Sequence, residues 1–294
     1  MSKILFLKMF LENINSPQDL KNLKYKELKA LSRQIRDLII DVVSKNGGHL
    51  ASSLGAVELC VALHYCLDAP IDSLIFDVGH QAYAHKIITG RKDTFHTLRE
   101  YQGISGFPNF LESPYDIYTC GHASTAISWA QGIAEAKKLN KDCSKTVAII
   151  GDGSLTGGMS FEALNACGHI MSDVLVVVNH NEMSISPSVG ALSNYLTKIL
   201  SAPIYNRIRG ELEKFLKNVS ERLAQRAKKF EETMKGLIVP GIFFEELGFR
   251  YFGPIDGHNL EVLIPAIKNV ISLKGPRILH IITKKGKRVQ ILRR

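Results

Sequence analysis

The stretch "TVAIIGDGSLTGGMSFEALNACG", Thr146 to Gly168, decides how the rest of the chain is read. Apolar residues Val147 to Ile150 run into Gly151-Asp152-Gly153, and a small-residue turn then opens a helix-like segment. A short continuous apolar run bounded by glycine is the pattern of a parallel strand covered on both faces. Strand, glycine turn and helix together start a β-α unit. Such a turn commonly receives a phosphate, because glycine lets the backbone approach and the helix N-terminus offers free N–H groups. Asp152 is the odd part, since it would face that phosphate and like charges repel. A divalent cation between them removes the conflict. Mg²⁺ usually takes one or two carboxylates together with substrate phosphates. The dinucleotide alternative, Gly151-x-Gly153-x-x-x-Gly157, is a loose match to its fingerprint. For Asp152 alone, a turn-capping aspartate is the bland alternative.

Outward from this stretch the pattern repeats. "VLVVVNHN", Val174 to Asn181, is a second continuous apolar run, and its end carries the amide oxygens of Asn179 and Asn181. "SLIFDVGHQAYAHKIITG" reads as strand, turn at Gly79 and helix, and "YDIYTCGHASTAISWAQGIAEAKKL" reads the same way around Gly121-His122. "ILHIITKK" predicts the last strand. The expected fold class is α/β, a parallel sheet flanked by helices. Four strand ends then open into polar loops, and ligands of such sheets sit at the carboxyl ends of strands. Ser16-Pro17 starts a helix expected to continue to Val43 and to stop at Asn46-Gly47-Gly48. "GAVELCVALHYCL" predicts a buried helix. From Ser184 to Leu237 the pattern changes. A loop of small and polar residues precedes Leu212, Leu216, Val219, Leu223, Phe230, Met234 and Leu237 at helical spacing, a mobile amphipathic helical insertion over 184–237. The sheet pattern resumes near Ile278.

The chain has 294 residues and is 45% hydrophobic, enough for a substantial core. Its net charge is +9, compatible with a phosphate-bearing ligand or with a solvated basic surface. No aromatic–basic interleaving points to nucleic acid. Five cysteines, with no CxxC pair, read as buried thiols of a reducing compartment. The start lacks a signal-peptide cleavage pattern, and no apolar run reaches the roughly 20 residues that span a bilayer. A soluble, cytoplasmic protein without membrane contact is expected.

Gly-Asp-Gly followed by an asparagine at a strand end resembles the thiamine diphosphate motif of the transketolase superfamily. "SKNGGHLASSLGAVEL", "FDVGHQAYAHKIITGR", "GHASTAIS", "GDGSLTGGMSFEALNACG", "NEMSISPSVGALSNYL", "FGPIDGHN" and "TKKGK" resemble, more closely, the 1-deoxy-D-xylulose-5-phosphate synthase family. The resemblance runs from Asn15 to Lys287 and matches the family's first domain only. It implies a transketolase-like, thiamine-diphosphate-binding fold over 1–294, with Mg²⁺. Asp152, Asn181 and the Met183 carbonyl match the metal ligands. Gly153 and Ser154 match diphosphate contacts, and His80, Gly121, His122 and Ala123 border the cofactor. His49 matches the histidine of proton transfer, a role that suits an imidazole near neutral pH. His64, His85, His96, His169, His280 and His258 carry no implied role. Three departures stand out: His180-Asn181-Glu182 where the family has Asp-Asn-Asp, Ala123 for a serine, and a divergent end from Arg288, where a cofactor contact is expected.

The resemblance places the glutamate that activates the aminopyrimidine, and the arginines for the aldehyde's phosphate, in a pyrimidine-binding and a third domain without match here. Nothing links Glu58 or Glu162 to that glutamate. The divergent end resembles a frameshift or a truncated reading frame. The complete enzyme implied is a homodimer using pyruvate and D-glyceraldehyde 3-phosphate. Three expectations stay open: an N-terminal part working with a separately encoded C-terminal chain, a non-catalytic fragment or interaction module, and the N-terminal subunit of another transketolase-type enzyme.

Overall fold

The structure, a computed structural model, describes residues 10–181 and 241–287. Helix α1 (Tyr25–Asn46), α2 (Leu50–Gly55) and α3 (Val57–Cys66) precede strand β1 (Ser73–Phe76). The short α4 (Tyr83–Lys86) and a long loop lead to α5 (Ala126–Leu139). Then come β2 (Thr146–Gly151), α6 (Asp152–Leu155), α7 (Gly158–Ile170) and β3 (Leu175–His180). Beyond residue 240 lie α8 (Ile242–Glu246), β4 (Arg250–Asp256), α9 (Leu260–Ile271) and β5 (Arg277–Ile282). The five strands form one sheet in the order β1-β2-β3-β5-β4, and every pairing is parallel. The helical insertion expected over 184–237 lies outside the described residues.

Alternation along the strands explains the layering. Val147 and Ile149 of β2, with Leu175 and Val177 of β3, face one side and pack with Leu31 and Ile35 of α1, Leu59 of α3 and Leu263 of α9. Ala148 and Ile150, with Val176 and Val178, face the other side and meet Ile127 of α5, Leu164 of α7 and Phe244 of α8. Both faces are covered, which is why these strands read as unbroken apolar runs rather than alternating ones. Each fully buried Val, Ile or Leu contributes roughly 1.5–3 kcal/mol. The helix α3 is buried on nearly every side, matching its mostly apolar sequence, in which Glu58 and His64 are the buried polar exceptions.

Several expectations need correction. The helix expected from Ser16 to Val43 is two elements, a short 3₁₀ turn at Pro17–Asn22 and α1. Two capping boxes cause the break. Asp19 accepts from the Ser16 amide at 2.8 Å, and Glu27 accepts from the Lys24 amide at 2.7 Å, so the chain starts a helix twice. The strand expected before Gly121 is irregular. There Tyr118 Oη and Cys120 Sγ both donate to the Phe76 carbonyl, at 2.7 and 3.2 Å, and the segment lies over the end of β1 instead of joining the sheet. Cys143 is exposed, while Cys60 and Cys167 are buried; the cysteines form no disulfide. No helix among the described residues is long and apolar enough to cross a membrane.

Candidate active site

The site is built at the carboxyl ends of β1, β2 and β3. Gly151 of β2 pairs with Asn179 of β3, so Asp152 and His180 come next at neighbouring positions, with Asn181 after them. Asp152 is buried; its Oδ1 accepts from the Gly153 amide at 3.0 Å and its Oδ2 lies 3.8 Å from His180 Nε2. His180 continues inward, its Nδ1 3.3 Å from His280 Nε2, whose own Nδ1 is 2.5 Å from Tyr251 Oη. His180 is therefore buried between Asp152 and a polar line crossing β5 to β4.

Asn179 is not available as a ligand. Its Oδ1 accepts from Thr283 Oγ1 at 2.6 Å and its Nδ2 donates to Gln81 Oε1 at 3.3 Å, which ties β3 to the ends of β5 and β1. Of the expected asparagine pair, Asn181 alone keeps its place at the rim, half-buried just beyond β3. Met183 lies outside the described residues.

The loop of Gly121, His122 and Ala123 is exposed, and the start of α5 holds it in place. Asp77, directly after β1, accepts from the amides of Ser124, Thr125 and Ala126 at 3.0, 2.9 and 3.1 Å. Ser124 Oγ donates to the Ser154 carbonyl at 2.7 Å, and Ser160 Oγ donates to the same oxygen at 3.0 Å. These bonds join the loop to the turn after β2. In the first turn of α5, Trp129 is half-exposed and stacks on Tyr118 with ring centroids 5.0 Å apart.

His49 and His80 stand together, ring centroids 6.0 Å apart. Gly48 delivers His49: its φ is +134°, and a Cβ there would sit 2.5 Å from Tyr83 Oη. That hydroxyl accepts from the His49 amide at 3.1 Å. Ser53 Oγ donates to the His80 carbonyl at 3.0 Å. Burial, then the neighbouring His49 and Lys285, push the His80 imidazole down to about 4. Burial, then Arg99, lower His49 as well. Both rings are thus neutral at pH 7.

Two observations show what this site can hold. The Nδ1 atoms of His49 and His80 and the Nε2 of Gln81 are buried without a hydrogen-bond partner. A Cβ added at Gly121, Gly151 or Gly153 would meet nothing within 4 Å, so open space lies over the glycines. Among the described residues no three His, Cys, Asp or Glu side chains gather as a metal cluster. One carboxylate and one amide oxygen suit Mg²⁺, which takes its other ligands from phosphates, carbonyls and water. The residues fit a magnesium-bridged phosphate group.

The family model described as 1-deoxy-D-xylulose-5-phosphate synthase matches residues 11–283. The chain belongs to the 1-deoxy-D-xylulose-5-phosphate synthase family. The synthase of Brevibacillus brevis is 53% identical over 281 residues, spanning 95% of this chain and 45% of the relative. That of Alkaliphilus oremlandii is 51% identical over the same shares. The chain therefore spans a little under half the length of these curated relatives. Among solved structures, transketolase from Campylobacter jejuni is similar with a TM-score of 0.64 at 20% identity, over 90% of this chain and 38% of that one. Transketolase from Leishmania mexicana gives 0.63 at 20% identity, over 87% and 36%. These likenesses agree with the α/β transketolase-like fold expected from sequence. Asp77, Gln81, Ser124 and Thr283 carry no signal of their own in the sequence, because their partners lie 30 or more residues away in the chain.

Proposed function

We propose that the chain is the N-terminal, diphosphate-binding part of a 1-deoxy-D-xylulose-5-phosphate synthase. It would serve a reaction that condenses pyruvate with D-glyceraldehyde 3-phosphate with loss of CO₂, in isoprenoid-precursor and thiamine biosynthesis. The observation that carries the reading is the placement of Asp152 and Asn181 at the ends of adjacent strands, beside glycines with open space above them. Asp152, Asn181 and the Met183 carbonyl would hold Mg²⁺. Gly153 and Ser154 meet the diphosphate of thiamine diphosphate, with His80, Gly121, His122 and Ala123 bordering it. When bound, thiamine diphosphate supplies the electron sink that decarboxylation of a 2-oxo acid requires. His49, neutral and with a buried unpartnered Nδ1, exchanges a proton with the reacting oxygen of the substrate.

The exposed rim formed by Gly121, His122, Ala123 and Gly153 needs a second surface to exclude water. In this reading the remaining length of the enzyme provides it, in a cytoplasmic homodimer, with a separately encoded C-terminal chain as one source. The isolated chain is then inactive. Isothermal titration of thiamine diphosphate with Mg²⁺ tests the site. The wild type binds, and Asp152→Ala loses at least about a hundredfold in affinity with unchanged circular dichroism. Equal affinity in the two proteins sinks the metal-bridged site. A wild type that binds but never decarboxylates pyruvate, even with the C-terminal domains supplied, favours the non-catalytic fragment.

A further inference from the structure

A second polar cluster lies behind the site and uses none of its residues. Glu58 of α3 is 5% exposed and pairs with the equally buried Arg36 of α1. The same carboxylate oxygen lies 2.9 Å from His258 Nδ1, and His258 Nε2 accepts from the Lys284 amide at 2.8 Å. These partners fix the tautomer: Nδ1–H donates to Glu58, and Nε2 is free to accept. Burial alone would raise the Glu58 carboxyl; hydrogen bonds from His258 and Arg36 bring it down to about 2. An Arg–Glu pair in a core is by itself weak evidence of purpose. The chain of contacts does not end there, however, because it reaches the backbone of the loop after β5.

That loop is pinned at three of four residues. The Thr283 amide donates to the His180 carbonyl at 2.8 Å, the Lys284 amide to His258, and the Gly286 amide to the Ala51 carbonyl at 3.0 Å. Gly55 lets α2 come close, since its Cβ position is only 3.3 Å from the Lys284 carbonyl. Between the pins sits Lys285, half-buried, its ammonium in electrostatic range of both Asp152 and His80. A lysine carries about 2 kcal/mol of side-chain entropy. Fixing the backbone on either side is how a fold directs such a flexible cation.

We propose that Glu58 and His258 are positioning residues: through the Lys284 amide they hold the Lys285 ammonium over the strand-end site, facing the anionic group bound beside Asp152. The inference rests on the diphosphate reading above. A double-mutant cycle on the full chain tests it, with thiamine diphosphate and Mg²⁺ as the titrant. His258→Phe fills the space of the ring but makes neither hydrogen bond; His258→Asn serves if it does not fold. His258→Phe and Lys285→Ala each weaken binding by about tenfold, and the double variant is no weaker than Lys285→Ala alone, because one effect acts through the other. Hydrogen exchange supplies the second readout: in His258→Phe the amides of Lys284 and Lys285 exchange faster while β5 keeps its protection. Wild-type affinity in His258→Phe beside a weakened Lys285→Ala, or two effects that multiply, overturns the proposal. If the folded wild type binds no cofactor, the diphosphate reading fails. Exchange then decides the clamp, which unchanged Lys284 and Lys285 amides would refute.

Discussion

Asp77 ends β1 with a buried carboxylate that accepts from three consecutive amides at the start of α5. It works as a helix cap supplied from another strand, and the negative charge lies where the helix dipole favours it. Asp77→Ala leaves those amides without their acceptor. We expect a loss of roughly 2–4 kcal/mol by urea unfolding, and less for Asp77→Asn, which keeps one acceptor oxygen. A loss under about 0.5 kcal/mol for the alanine variant would refute the cap. Asp77 is illegible in the sequence because its partners lie 47 to 49 residues away. Asp152 is legible because its signal is local, an acid between two glycines at a strand end. His258 gives no such signal: its meaning depends on Glu58, 200 residues earlier.

At the scale of elements, α7 and the turn after α8 touch through bare backbone. A Cβ added at Gly168 would sit 1.7 Å from the Leu247 carbonyl oxygen, with no flexible side chain to yield. Gly168→Ala must push α7 away from α8, and an overpacked core contact of this kind costs about 1–3 kcal/mol. Thermal unfolding measures it, and an unshifted midpoint would show that the helices separate freely. The runs of β2 and β3 are readable because both faces are covered. The edge strand β4 is not, because Gly253-Pro254 interrupts it and shifts its register between Phe252 and Ile255. Pro265 likewise hides α9, although Leu260, Leu263, Ile264 and Ile267 keep helical spacing. The strand wrongly expected at Tyr115–Cys120 has the apolar content of one, but it meets β1 only through the Tyr118 hydroxyl and the Cys120 thiol, and its Cys120 amide donates to Pro108 instead of to a neighbouring strand.

For the whole molecule, acid is the relevant stress. His49, His64, His80, His85 and His280 are all lowered, burial being the largest cause in each. His64 Nε2 lies 2.9 Å from His85 Nδ1, and His85 Nε2 is 2.8 Å from Asp116 Oδ1, two neutral rings leading to a carboxylate that Arg91 holds ionised. Unfolded histidines bind protons as pH falls below about 6.5, whereas these resist while folded. Stability is therefore complete above that pH and declines as pH falls toward 4, the region to which His80 is pushed. Glu58 and Asp116, both lowered by their hydrogen bonds and ion pairs against burial, add a further loss at still lower pH. We expect the unfolding midpoint to drop steadily from pH 7 to pH 5; a flat profile would contradict neutral burial. The sequence marks His64, His85 and His280 as structural, but not the direction in which acid acts on them.

Trp129 is the chain's single tryptophan, half-exposed on Tyr118 and on the helix that begins behind His122 and Ala123. Its indole is a built-in fluorophore one turn into the helix whose start Asp77 caps. A surface that covered the indole would dry it and move its emission to the blue, so such a contact of the unlabelled protein could be followed with light alone.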